Sequence, residues 1–335
     1  KEKKTNLVDR IEPLKNDFEK KRIEIKKKFF KKCSGKGNCE ENSKAVDSLI
    51  RGLFNEIKKR PEKITKNFLV CAVGGYGRKQ LAPFSDIDLL FIYYGKNETE
   101  KLEKFVKFFL YPLWDLKLKI GYAVRSSKEV IEFSKKDHVI KTSMLDARII
   151  IGSRVIFKKL MEQYFQYVAK NSRVFLSEKI NERIKKINKI NYDFFRNEPN
   201  IKESEGSIRD LNLIIWCLKI FQIHKKKHPK DHLHFLSSFE KKRFEKSLQF
   251  LLTIRCFLHY LSKRSNEKLT FDFQELIAEK IEKKKSNKIL NSKVEEMMKN
   301  YFEQIKITRN LAKIISNVLD ANLKRKSLPK KKNNL

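Results

Sequence analysis

The sequence predicts an α+β fold in which a small mixed α/β unit lies between N-terminal helices and an all-helical remainder. Three observations carry this. Apolar residues recur at helical spacing through residues 1–61. The texture changes over 62–128, where short continuous apolar runs alternate with a glycine cluster, the pattern of buried strands. From 129 to 322 the helical period returns, and Gly152, Pro199, Gly206 and Pro229 are the only breakers in it.

The elements follow in order. Leu7, Ile11, Leu14, Phe18, Ile23 and Phe29 mark an amphipathic helix or helix pair over 5–32, which Gly35 and Gly37 should break. A second helix is expected over 43–60, through Val46, Leu49, Ile50, Leu53 and Ile57, with Pro61 as its stop. Phe68–Val73 and Asp86–Tyr94 read as strands, 98–113 as a helix, and Lys117–Arg125 as a third strand. The tail, 323–335, has no apolar face and is expected to be disordered.

The chain has 335 residues, and its 40% hydrophobic content and 25 Phe suffice for a buried core. Its formal charge of +36, from 77 Lys and Arg against 41 Asp and Glu, invites a nucleic-acid reading. Lysine is spread along the whole chain rather than gathered in one stripe, so nucleic acid is not the expected partner. The positive field would instead draw in a triphosphate or an acidic protein. Five scattered cysteines argue against a disulfide framework, and Cys33 and Cys39 bracket a plain loop rather than a metal knuckle. The six histidines show no metal-ligand pattern. No apolar run reaches 18 residues and no signal peptide opens the chain, so a cytoplasmic location is expected.

The chemistry concentrates in Val73–Leu90, which contains Gly74-Gly75-Tyr76-Gly77-Arg78 and then Ser85-Asp86-Ile87-Asp88. Side chains alternate along a strand, so Asp86 and Asp88 share one face while Ile87 and Leu89 face the core. At a rise of about 3.3 Å per residue their Cα atoms lie roughly 6.5 Å apart, close enough for both carboxylates to converge on Mg²⁺. Two ions are expected, with Mn²⁺ as a substitute; such a pair holds both the attacking oxygen and a leaving pyrophosphate. Gly74 and Gly75 allow the backbone to approach phosphate oxygens, Arg78 offers a charge-assisted contact, and Ser85 offers a hydroxyl. A Walker-type site is excluded because no Gly-Lys-Ser/Thr follows the glycines, and a dinucleotide site because a strand carries the acids.

This pattern resembles the nucleotidyltransferase superfamily that includes DNA polymerase β, and within it the bacterial PII-protein uridylyltransferases. Leu113–Ser126, Thr142–Ser153, Pro199–Leu211 and Val294–Phe302 resemble that family's segments in the same order. Thr142–Ser153 resembles the helix that leads into its helical domain. The resemblance implies a DNA polymerase β-like domain followed by an all-helical domain. It implies transfer of UMP from UTP to a tyrosine of the PII nitrogen-regulatory protein, with release of pyrophosphate. By carry-over Gly74, Gly75 and Ser85 contact the nucleotide, Asp86 and Asp88 hold the metals, and Lys202, Arg209 and Asp210 close over the triphosphate. The last three also suit the cap of a helix starting near 208. Adenylyl transfer, and a silent basic binding module, are the alternative readings.

Three departures accompany the resemblance. The third strand carries no acid, and Asp115 before it is the nearest one. Ser204, Glu205 and Ser207 stand where the family favours Gly-Pro and Gly, and Glu205 brings a negative charge toward the expected triphosphate. The family continues into a His-Asp phosphohydrolase domain and two sensing domains, so uridylyl removal is not expected of this chain.

Overall fold

In the computed structural model the N-terminal stretch folds as two helices, α1 (Leu7–Lys32) and α2 (Gly35–Lys58). The structure describes residues 7–58, 68–94, 99–190, 197–227, 229–282 and 290–325. The expected stop at Pro61 and most of the tail lie outside them. Along α1, Ile11, Phe18, Ile25 and Phe29 are buried while Ile23 is exposed. Seven residues make nearly two full turns and return to the same face; five do not. The glycines do not break the chain as expected. Cys33 turns it at φ 51°, and Gly35 and Gly37 lie in the first turn of α2, where Ser34 Oγ accepts from Gly37 N at 3.4 Å.

The sheet has four strands, β1 (Phe68–Ala72), β2 (Ile87–Tyr93), β3 (Ile120–Ser126) and β4 (Arg148–Ile151), in the order β3-β2-β1-β4. β1 pairs antiparallel with β2 and β4, while β2 and β3 are parallel and are joined through the crossover helix α4 (Thr99–Asp115). All five residues of β1 are buried, which explains its unbroken apolar run. β4 corrects the expectation that Thr142–Ser153 is a helix. That stretch ends α6 (His138–Leu145) and then gives the β-branched run Ile149-Ile150-Ile151 to the sheet edge. Gly152 closes β4 at φ +108°, and a Cβ there would meet Phe68 O at 2.6 Å.

The sheet face carrying Val70, Leu89 and Phe91 packs on Ile50 and Leu53 of α2 and on Phe109 and Leu113 of α4. Truncating a residue as buried as Leu53 to alanine costs about 2–5 kcal/mol. α5 (Ser127–Lys136) packs beside β2 and β3 and is fixed at its start by a capping box between Ser126 and Glu129.

The chain divides into two compact units, Lys1–Glu162 with Arg255–Asn266, and Gln163–Ile254 with Glu267–Leu335. The first holds α1 through β4 and the closing turns of α10 (Ser238–Ser262). There Phe257 lies 4.6 Å from Phe29, ring to ring, and Asn38 donates to Tyr260 Oη at 3.0 Å. The second is helical: α8 (Ser172–Ile190), α9 (Ile208–His224), α11 (Phe271–Glu282) and α12 (Leu290–Arg325), together with most of α10. α7 (Arg154–Lys170) runs across the division between the two. Every residue from Asp210 to Leu218 is buried, as expected of the central helix of a bundle.

Candidate active site

β1 ends at Ala72, and the chain turns through α3 (Gly74–Gly77), a single helical turn opened by Gly74 at φ +57°. The turn cannot be rebuilt with other residues. A Cβ at Gly77 would meet Asp146 O at 2.2 Å, and one at Gly74 would meet Asp88 Oδ2 at 3.0 Å. Beneath it lies a buried polar cluster. Tyr76 Oη donates to Asp47 Oδ1 at 2.5 Å, and Arg148 donates to both Asp47 oxygens at 2.6 and 3.0 Å. Burial, reinforced by the Asp47 charge, pushes the Tyr76 hydroxyl well above its usual range, so it stays a neutral donor. Burial works against the Arg148 charge, but the Asp47 hydrogen bonds outweigh it and hold the guanidinium pKa above normal.

Asp86 precedes β2 and is exposed; Asp88 is its second residue and half-buried. Asp88 O accepts from Val73 N at 3.1 Å, which ties the strand to the glycine turn. On β3 the partner of Asp88 is Gly121, where a Cβ would stand 2.8 Å from Asp88 Oδ1. The Asp88 carboxylate is therefore flanked by two glycines, Gly74 near Oδ2 and Gly121 near Oδ1. Ser85 Oγ is buried with no hydrogen-bond partner among the described residues, a hydroxyl set aside beside the two carboxylates. The loop before them is held by His259, fully buried, whose Nδ1 accepts from Phe84 N at 3.2 Å. Sequence reasoning missed this histidine, because nothing in its helical surroundings marks it.

Arg78 is placed differently from a free phosphate ligand. It forms a buried ion pair with Asp146 and donates to Gln80 at 3.1 Å, bracing the turn. Asp115 closes α4 and pairs with Lys15 at 3.0 Å.

Lys202, Arg209 and Asp210 belong to the second unit. Asp210 is buried and accepts from Arg183 at 2.6 and 3.0 Å and from Gly206 N. Arg183 also donates to Glu203 O and Ser204 O at 3.0 and 2.8 Å, so the pair moulds the 203–207 turn. Arg209 pairs with Glu203 at 2.9 Å and Lys202 lies 4.0 Å from Glu267, both half-exposed.

Residues 50–151 match the nucleotidyltransferase domain, which takes in the site from α2 to the last residue of β4. Residues 174–316 match the family described as GlnD PII-uridylyltransferase. Curated relatives include the bifunctional uridylyltransferase/uridylyl-removing enzymes of Rhodospirillum rubrum, Azospirillum brasilense and Phenylobacterium zucineum, at 34%, 35% and 31% identity. The matches cover 92%, 95% and 93% of this chain. Over nearly all of its length this chain is similar to the bifunctional uridylyltransferase/uridylyl-removing enzymes. It spans about a third of the length of those curated relatives (33%, 34% and 34%).

The α+β fold of this chain is as the sequence predicts, with a nucleotidyltransferase domain and helices beyond it. Nucleotidyltransferase domains generally use divalent metal ions. The donor set here fits such an ion. Asp86, just before β2, and Asp88, within it, offer hard carboxylate oxygens, and among the described residues no group of three or more His, Cys, Asp or Glu that could hold a metal ion is found. Mg²⁺ suits that economy, because it takes one or two carboxylates and fills its other positions with water and substrate phosphate. Among the described residues no helix is long and apolar enough to cross a membrane.

Proposed function

We propose that this chain transfers UMP from UTP to a tyrosine hydroxyl of the PII protein, releasing pyrophosphate. The observation that carries the reading is the carboxylate pair Asp86/Asp88 behind the positive-φ turn at Gly74, within a nucleotidyltransferase domain. The names of its relatives supply the nucleotide and the acceptor.

In this reading Gly74, Gly75 and Ser85 bind the phosphates, and Lys202 and Arg209 are further nucleotide-binding residues. Arg78 and Asp210 serve by holding the two turns in shape. The phenol oxygen attacks the α-phosphorus, the bond from that phosphorus to the bridging oxygen breaks, and pyrophosphate leaves with the electron pair. The phenol proton passes to solvent. Mg²⁺ on Asp86 and Asp88 would neutralise charge building on the phosphate oxygens. The two glycines leave room for the Asp88 carboxylate at the position such chemistry needs.

The test is to incubate the chain with PII, Mg²⁺ and labelled UTP, and in parallel with the other NTPs. Label on a PII tyrosine from UTP is expected. Label from ATP instead would make it an adenylyltransferase. No transfer, beside an active full-length relative, would reject the reading.

A further inference from the structure

We propose that the cavity on the β3 side of Asp88 receives the phenol ring of the acceptor, and that the exposed aromatics along the same edge dock the acceptor protein. The inference rests on the nucleotidyl-transfer reading above.

The two sides of Asp88 differ. Oδ2 faces the Gly74 turn and Oδ1 faces Gly121. In-line displacement sets the entering oxygen and the leaving pyrophosphate on opposite sides of the phosphorus. The glycine turn, with its main-chain N–H groups, is the phosphate side. The entering oxygen then comes from the side of β3.

A cavity of about 280 Å³ lies there. Leu90, Gly121, Ala123, Val130, Ile140 and Met144 make most of its wall apolar. A triphosphate would find one cation in it, Arg125. A uracil would need several placed polar partners, and of the two hydroxyl-bearing residues in the wall, Tyr122 and Ser143, Ser143 Oγ is already donating to Val139 O at 2.7 Å. A phenol suits the site better, with an apolar ring against the wall and one hydroxyl at the Asp88 end. Its acidity fits too. A phenol ionises near pH 10, far more readily than an aliphatic alcohol, so it makes the least demand for a third acid or base on β3. That strand has none.

Two observations identify the rest of the acceptor. Arg125 lies four residues beyond Gly121, about 13 Å along the strand, at the end of the cavity away from Asp88. Its guanidinium stands 4.6 Å over the Phe133 ring, and among the described residues its Nη1 is buried without a hydrogen-bond partner. A buried donor that lacks a hydrogen bond there suits a main-chain carbonyl or carboxylate of the incoming chain. Around the same edge strand, Tyr111, Trp114 and Tyr122 are all exposed, with ring centroids 5.7 and 6.5 Å apart. Grouped tyrosine and tryptophan are the residue types that dominate protein interfaces, so the acceptor is a protein rather than a small alcohol.

The test uses the whole chain with methyl-labelled Val, Ile and Met, Mg²⁺, and a saturating non-hydrolysable UTP analogue, titrated with N-acetyl-tyrosinamide. The methyls of Val130, Ile140 and Met144 are expected to shift with the tyrosine probe, and Ala123→Phe should abolish those shifts alone. With PII as acceptor, Ala123→Phe, Arg125→Met and Trp114→Ala should each raise the acceptor KM at least tenfold and leave the UTP KM within twofold. Cavity methyls that move with the UTP analogue alone, or that ignore the tyrosine probe, would overturn the assignment. So would variants that raise both KM values equally. Arg125→Met and Trp114→Ala keep the kinetic arm decisive if Ala123→Phe does not fold. Failure of wild type to label PII would reject the activity, while the titration would still decide the cavity.

Discussion

Gly121→Ala is expected to leave the protein at least as stable while slowing transfer by about 10–100-fold. The new methyl would stand 2.8 Å from Asp88 Oδ1, and no other atom but Asp88 Cγ, at 3.9 Å, comes within 4 Å. Ordinary contact begins near 3.4 Å, so the carboxylate must retreat by about 0.6 Å. The obstructing atom is a side-chain end, which can rotate, so the fold need not yield. Alanine in a strand even gains about 0.5–1 kcal/mol over glycine. The reacting geometry has no such tolerance, since a misplacement of about 1 Å costs on the order of 100-fold in rate. The expected loss therefore corresponds to about 1.4–2.7 kcal/mol of transition-state stabilisation. The assay pairs steady-state UMP transfer with thermal unfolding of the same sample. An unchanged or higher Tm with a rate within threefold of wild type would refute the claim that Gly121 exists to leave room for Asp88.

Three further outcomes follow from particular residues. Asp88→Asn should abolish transfer with Tm unchanged, and a rate within tenfold of wild type would sink the metal assignment. Asp210→Ala strands the buried Arg183 and should cost about 3–5 kcal/mol in urea unfolding, whereas Arg209→Gln, at a half-exposed pair, should stay within about 0.5 kcal/mol and act on the UTP KM instead. A loss below 1 kcal/mol for Asp210→Ala would return that residue to the nucleotide. Burial raises the Glu182 carboxyl, but hydrogen bonds from Lys179 and Lys186 outweigh it and lower the pKa from 4.5 to about 2. Its folded value is depressed, so its contribution is complete above pH 4.5 and fades as pH falls toward 2. The Tm gap between wild type and Glu182→Gln should accordingly be wider at pH 6 than at pH 3; an equal gap would refute this.

Helical periodicity and the glycine-to-carboxylate spacing read directly from sequence, because each is a local pattern with a local cause. The pairing of Asp88 with Gly121 does not, since parallel register across a crossover leaves no local trace. β4 escaped for a similar reason: Ile149-Ile150-Ile151 is too short for its period to tell strand from helix. The buried cluster of Asp47, Tyr76 and Arg148 joins residues 29 and 101 positions apart, and His259 reaches Phe84 across 175. Such contacts are set by tertiary packing, and no spacing rule would have drawn them together. Arg78 adds another: its place beside the glycines suggests a phosphate role, and its guanidinium also pairs with Asp146, 68 positions away.

The turn at 203–207 makes the same point for a departure from the family pattern. Glu205 looks hostile to a triphosphate, but its carboxylate is held by Arg309 at 2.9 Å and lies 3.8 Å from Lys313, both on α12. Two cations against one carboxylate leave this corner of the second unit net positive. The turn does not depend on the missing glycine and proline for its shape either. Gly206 alone takes the positive φ, +79°, and a Cβ there would strike Ile305 O at 2.5 Å, so the one glycine retained is the one the close approach of α12 requires. Ser207, standing in the other glycine's place, turns its hydroxyl to Lys202 O at 2.7 Å and fixes the main chain of the residue proposed to meet the nucleotide. The substitutions thus exchange conformational freedom for specific bonds. A Glu205→Gln variant should therefore loosen α12 against the turn rather than tighten UTP. A lower UTP KM in that variant with an unchanged Tm would show that the charge, not the bond, is what Glu205 contributes.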